Sequence, residues 1–128
     1  MRLAADVPLG PTALRVHAIH LESSDVLGEK RAVQSKELLD RAQLEACERP
    51  QVMAGDWNAW YCTAPELEVL RRAGFVDTTR TLGDIAPTHD GGLRLDMLWQ
   101  RGLSIVDAGV VRGLDASDHD AVWATLEL

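Results

Sequence analysis

Cysteine is scarce in this 128-residue chain, which has only Cys47 and Cys62. Two cysteines so spaced form neither a metal-binding pair nor a disulfide framework, and both read as small buried apolar residues. A reducing compartment fits that usage, and the expected location is cytoplasmic. Aromatic residues are few as well: four Trp, one Tyr and one Phe. Long apolar runs are missing, and no stretch approaches the roughly 20 residues of a membrane helix. The opening Met1-Arg2-Leu3-Ala4-Ala5-Asp6 lacks the basic-then-apolar pattern of a secretory signal. Positive charge is also short. Lys and Arg number 13 against 20 Asp and Glu, a formal net charge of -7 with a pI near 4.9. Affinity for a nucleic-acid backbone comes from clustered Lys and Arg, so a dedicated nucleic-acid binder is disfavoured. Nucleic acid stays open only as a substrate, with a divalent cation offsetting acidic charge locally.

What is present is globular in composition, 46% apolar and 26% charged, which excludes a disordered chain. The length suits one domain over residues 1–128. Leu3, Ala5, Val7 and Leu9 alternate with other residues, the period of a half-buried strand. Gly10-Pro11 marks a turn, and Leu14, Val16 and Ala18 alternate again, so the two runs form a hairpin with Pro8 on an edge. From 29 to 47 the spacing is helical. Ala32, Leu39, Ala42 and Ala46 share a side, flanked by Val33 and Leu38, with Arg31, Lys36, Glu37, Arg41 and Glu45 on the wet side. Val52-Met53-Ala54 is a buried strand ending at Gly55. Thr63-Ala64-Pro65-Glu66 has the form of a capping box, opening a helix that carries Leu67 and Leu70 and stops at Gly74. Residues 77–92 read as loop. Strands over 95–99, 105–111 and 121–126 complete the order β-β-α-β-α-β-β-β, an α/β (α+β) unit with a mixed or antiparallel sheet.

Chemistry-bearing residues gather where strands end: His20-Leu21-Glu22, Gly55-Asp56-Trp57-Asn58, Asp96 in Leu95-Asp96-Met97, and Ser117-Asp118-His119-Asp120. Any one of them has a bland reading. His20 suits a structural histidine, Asp56 and Asn58 suit an Asx turn, and Ser117 suits a hydrogen-bonding loop residue. Asp96 is harder to dismiss, because a carboxylate among Leu and Met needs a partner. No Gly-x-Ser-x-Gly elbow supports a serine hydrolase. Together the four groups offer carboxylates for a hard cation, amides for an oxyanion and imidazoles for proton transfer.

The ordered set Ile19-His20-Leu21-Glu22, Arg31-Ala32-Val33-Gln34, Gly55-Asp56-Trp57-Asn58-Ala59, Gly74-Phe75-Val76-Asp77, Arg94-Leu95-Asp96-Met97-Leu98 and Ser117-Asp118-His119 resembles the second half of the endonuclease/exonuclease/phosphatase superfamily, the deoxyribonuclease-I-like fold. The likeness covers essentially the whole chain. It implies half of a four-layer α/β/β/α sandwich and a metal-dependent phosphoesterase. By that resemblance Asp56 handles the attacking water with a share in metal binding, and Asn58 donates to a phosphate oxygen. Asp118 is a ligand of Mg²⁺ or Mn²⁺. His119 contacts the phosphate under the guidance of Asp96, and His20 matches a histidine used on the phosphate or leaving group. Thr88 falls where the family often has a Thr near the site. His17 and His89 match no role, and His89 is expected on a solvated loop. Arg31 and Gln34 are expected to be structural.

The departures matter as much. Members of that superfamily are roughly twice as long, and their first half supplies a Glu metal ligand within a Gln-Glu pair. No Gln-Glu dipeptide occurs here. Three expectations follow: a fragment lacking that ligand, a homodimer whose halves stack sheet on sheet, or an inactive half-domain that pairs with a partner. Each must deal with an uncovered apolar sheet face. A phosphate-ester substrate is the expected ligand, and the loops that would select it are not recognisable.

Overall fold

A computed structural model describes the chain except residues 25–26, 47, 61–63 and 114, with the backbone alone for 44–46. Both cysteines and Thr63 therefore lie outside the described residues. Strands β1 (Arg2–Leu9) and β2 (Thr12–His20) form the expected hairpin, with Leu9 opposite Thr12 across Gly10-Pro11. Helix α1 (Glu29–Ala46) carries the chain to β3 (Gln51–Asp56), which lies parallel to β2. Helix α2 (Pro65–Arg72) follows, then β4 (Val76–Asp77), the single-turn α3 (Thr78–Thr81) and β5 (Asp96–Arg101). The sheet order is β1-β2-β3-β5-β4, mixed in direction, and Pro8 sits on an edge strand as expected. Strands β6 (Ser104–Val111) and β7 (Ala121–Glu127) pair with each other in a separate ribbon.

The region 77–92 is not all loop. β4 and α3 occupy its start and were invisible to periodicity because together they span six residues. They are held from outside themselves. Asp77 caps α3 by accepting from the Arg80 amide at 3.3 Å, while Arg94 grips both Asp77 oxygens at 2.7 and 2.8 Å and reaches Thr79 Oγ1 at 2.6 Å. This bidentate pair fixes the segment leading into β5.

One sheet face packs against the helices. Ile19, Met53, Met97 and Trp99 meet Leu38, Leu39 and Ala42 of α1 and Leu67 and Leu70 of α2. The inward stripe of α1 runs Arg31, Ser35, Leu38, Leu39, Ala42, so Arg31, expected on the wet side, is 2% exposed and Val33 faces out. The reason is Glu66. Its Oε1 accepts from Arg31 Nε at 2.8 Å, with both side chains buried, and this ion pair joins the two helices. Glu66 thus faces the core, and the capping box expected with Thr63 lies outside the described residues. Ala64 holds the N-cap position with no side-chain bond, and Pro65 opens the helix, where its missing N–H costs nothing.

The opposite face differs from the half-buried strand expected at the N-terminus. Leu3 is 68% and Val7 46% exposed, and Ala18, cross-strand from Leu3 and mid-sheet, is exposed too. The alternation is there, but on this face Leu3, Ala5 and Val7 stay exposed, while Leu14 and Val16 of β2 are half-buried and Val52 of β3 is buried.

Gly55 sets how β2 and β3 approach each other beside the strand ends. Its φ is 139°, and a Cβ there would lie 2.0 Å from the Ile19 carbonyl oxygen. That contact is with backbone and cannot be relieved by a rotamer change. Gly55→Ala is expected to destabilise the fold by about 2–4 kcal/mol, seen as a lower thermal midpoint. An unchanged midpoint would show that the strands do not approach as described.

Candidate active site

Three neighbouring strands end on one line. His20 of β2 is paired in register with Asp56 of β3, and Asp56 with Asp96 of β5. The line continues the row Ala18, Ala54 and Leu98, exposed at Ala18 and half-buried at Ala54 and Leu98. Asp96 opens β5 and is doubly held: its Oδ2 accepts from Thr88 Oγ1 at 2.9 Å and meets His119 Nδ1 at 2.7 Å. Thr88, fully buried, also accepts from the Leu95 and Asp96 amides at 3.0 and 2.9 Å, so its hydroxyl proton points to the carboxylate. A carboxylate can only accept from the imidazole, which places the Nδ1 proton of His119 toward Asp96 and leaves Nε2 for a ligand.

Asp56 is fixed by Asn58. Oδ1 accepts from the Asn58 amide at 2.8 Å and Oδ2 from Asn58 Nδ2 at 3.2 Å, while Nδ2 also donates to the Leu21 carbonyl at 3.1 Å. The Asx turn is real, and it serves to aim the carboxylate. Asn58 takes the left-handed conformation, φ 48°, which Asn tolerates. Its two side-chain hydrogens are both engaged, so here it holds Asp56 and offers no spare donor. His20 Nε2 stands 3.8 Å from Asp56 Oδ2, beyond hydrogen-bond range, and its ring is largely exposed.

The last loop is sewn to the turn at 88–92. His119 and His89 form an antiparallel bridge, the Asp90 amide donates to the Asp118 carbonyl at 3.0 Å, and the Asp120 amide to the Thr88 carbonyl at 2.8 Å. Ser117 Oγ accepts from the His119 amide at 3.0 Å, the loop role expected of it. His89, expected on a solvated loop, instead lies against His119, ring centroids 4.8 Å apart and nearly perpendicular. Its sequence neighbourhood gave no periodic signal for this, because the bridge to residue 119 places it.

The sequence profile of the Endonuclease/Exonuclease/phosphatase family matches residues 2–119. The chain belongs to the endonuclease/exonuclease/phosphatase family. No curated protein matches it. Among solved structures, a humanized D. rerio TDP2 superposes with a TM-score of 0.76 at 20% identity, over 99% of this chain and 60% of that one. The human Nocturnin catalytic domain with bound sulfate gives 0.69 at 18%, over 97% and 52%. A mannosyl-6-phosphatase of Bacteroides thetaiotaomicron gives 0.73 at 13%, over 91% and 52%. The chain thus spans between half and three-fifths of the length of these structures, and at such identity they support the fold alone. Among the described residues no helix is long and apolar enough to cross a membrane.

The family motifs now have places. The Asp77 and Arg94 motif residues pair with each other. Arg31 and Gln34 are structural as expected: Arg31 Nη1 donates to the Glu22 carbonyl at 3.3 Å, and Gln34 Oε1 accepts from the Glu22 amide at 3.0 Å. Trp57 is core, its indole N–H on the Met97 carbonyl at 3.2 Å. Asp56, Asn58, Asp96, Asp118 and His119 cluster, while His20 stands at the margin.

Burial pulls the His119 pKa down. The hydrogen bond to Asp96 and the charges of Asp96, Asp56 and Asp118 outweigh it, so the net displacement is upward from the ordinary imidazole value. Folding therefore favours the protonated ring. The resulting stabilisation is complete below the unfolded imidazole's pKa and is lost as pH rises through the folded one. Asp96→Asn removes the largest raising contribution and should lower the His119 pKa in an NMR titration. An unmoved titration would mean that the two side chains are not bonded in solution.

Proposed function

We propose that this chain acts as a divalent-metal-dependent phosphoesterase, hydrolysing a phosphodiester or phosphomonoester by in-line attack of water. The supporting observation is the Asp96-held His119 beside the Asn58-held Asp56, an imidazole whose protonated form the neighbouring carboxylates favour next to an aimed carboxylate acceptor. Asp56 retains a lone pair on each oxygen and takes the proton of the attacking water as the new P–O bond forms. His119 Nε2–H donates to a phosphate oxygen, meeting charge that grows as the ester P–O bond breaks. Asp96 keeps that ring oriented and protonated, and His20 stands near enough to Asp56 to serve the leaving group or a phosphate oxygen.

The donor set bears on the metal. Asp56, Asp96 and Asp118 all act on His119 with negative charge, so a phosphate approaching alone would meet repulsion. The Asp118 side chain is 70% exposed. With Asp56 it fits a hard Mg²⁺ or Mn²⁺ ion that keeps most of its waters, as such ions commonly do on one or two carboxylates. When bound, that ion supplies charge to offset the phosphate. Substrate class is left to the phosphate itself; nothing in the acidic surface favours a long nucleic acid.

The uncovered sheet face favours a second reading, a pairing module whose exposed Leu3, Val7 and Ala18 meet a second copy of the chain. Solution mass decides it: a dimer broken by Leu3→Glu supports this reading, and a monomer in both chains removes it. For the first reading, the measurement is hydrolysis of bis(p-nitrophenyl) phosphate and p-nitrophenyl phosphate with Mg²⁺ or Mn²⁺. His119→Ala and Asp56→Ala should each lower kcat by roughly 10²-fold or more with an unchanged circular dichroism spectrum. Chelation should abolish turnover. Wild-type rates in both variants would refute the assignment.

A further inference from the structure

His89, Asp118 and His119 each present a ligand-type atom within 4.8 Å of the other two. Such a trio invites a reading as a transition-metal site, but the hydrogen bonds around the rings oppose it. A ligating histidine usually donates its other ring N–H to a carboxylate or carbonyl. His119 does so, through Nδ1 to Asp96. His89 does the reverse: its Nδ1 accepts from the Gly91 amide at 2.8 Å. The proton on a neutral His89 ring is therefore on Nε2, and Nε2 is the atom that faces Asp118, 3.7 Å from Oδ2. A ring nitrogen that carries its proton has no lone pair to give a metal, so Nε2 in this tautomer can act toward Asp118 only as an N–H.

The geometry points to His89 as a positioning residue for the Asp118–His119 pair. Its ring braces the His119 imidazole edge to face, and its Nε2–H faces the Asp118 carboxylate at 3.7 Å, a weak electrostatic restraint beyond hydrogen-bond range. Asp118 needs restraint from a side chain because its own is largely exposed. The placement is backed by the main chain. The His89 carbonyl accepts from the Gly92 amide at 2.9 Å, and the bridge to residue 119 sets the distance between the rings. Gly91 is part of the device, since a Cβ there would come 2.9 Å from His89 Nδ1. This inference rests on the phosphoesterase reading for its catalytic consequence, but its structural content can be tested alone.

Long-range ¹H–¹⁵N correlation in mildly alkaline buffer reads the tautomer directly. The ring proton of His89 is expected on Nε2, in wild type and in Asp118→Asn. A proton on Nδ1, or a Zn²⁺ titration in which His89 Nε2 becomes a ligand, would overturn the inference whatever the activity. Turnover then tests the consequence. His89→Phe keeps the ring contact and loses the donor, and kcat should fall about tenfold, the usual scale for outer-shell partners. His89→Gln, whose amide can place an N–H near the Nε2 position, should recover most of that loss. Gly91→Ala, which alters no polar side chain but displaces the ring, should fall between the two. Equal losses in His89→Gln and His89→Phe, or none in His89→Phe, would overturn the role. A wild-type chain without turnover but with the expected tautomer would sink the phosphoesterase reading and leave the His89–Asp118 contact standing.

Discussion

The hydrogen bond between Asp96 and His119, 2.7 Å long, is the contact on which the site depends. It joins the five-stranded sheet to the loop before β7, beside the main-chain bonds Asp120–Thr88 and Asp90–Asp118. It also fixes the chemistry. With Nδ1 committed to a carboxylate, Nε2 becomes the only ring atom free for a ligand, and the positive form of the ring is favoured. Removing it would leave an imidazole free to turn and a part-buried carboxylate with one partner in place of two.

Most of the surrounding structure can be understood as holding that bond in place. Thr88 gives its hydroxyl proton to Asp96 and accepts from the Leu95 and Asp96 amides at the start of β5. Arg94 and Asp77 lock the approach to β5 through a bidentate pair. The Asp90–Asp118 and Asp120–Thr88 main-chain bonds bring the histidine loop to the strand end. On the other side of the line, Gly55 lets β3 come close to β2, and Asn58 turns Asp56 toward the same place. The acidic groups thus stand on rigid strand ends and short braced turns, the arrangement that catalytic positioning requires.

The sequence made the long elements legible and concealed the short ones. The β1–β2 hairpin and α1 show their periods over eight or more residues, and Asp56, Asp96, Asp118 and His119 sit at motif positions that the fold brings together. β4 and α3 are too brief to show a period, and their partners, Arg94 above all, are many residues away. Arg31 is hidden for a related reason: charge marks a wet position unless a buried counter-charge waits, and Glu66 lies on another helix. His89 failed to register because what places it is a contact with residue 119, thirty positions on. Local patterning carries no trace of such pairings.

The uncovered sheet face and the site share one surface, with Ala18, Ala54 and Leu98 leading into His20, Asp56 and Asp96. Anything seated on Leu3 and Ala18 would stand beside His20 at this line of strand ends, so covering the sheet and shaping the substrate site are linked. The most direct measurement is a crystal structure with Mn²⁺ and inorganic phosphate, with the metal located by anomalous scattering. The proposed phosphoesterase chemistry predicts phosphate within hydrogen-bond reach of His119 Nε2 and metal on Asp118. Phosphate bound away from His119, or Mn²⁺ held elsewhere on the chain, would contradict it.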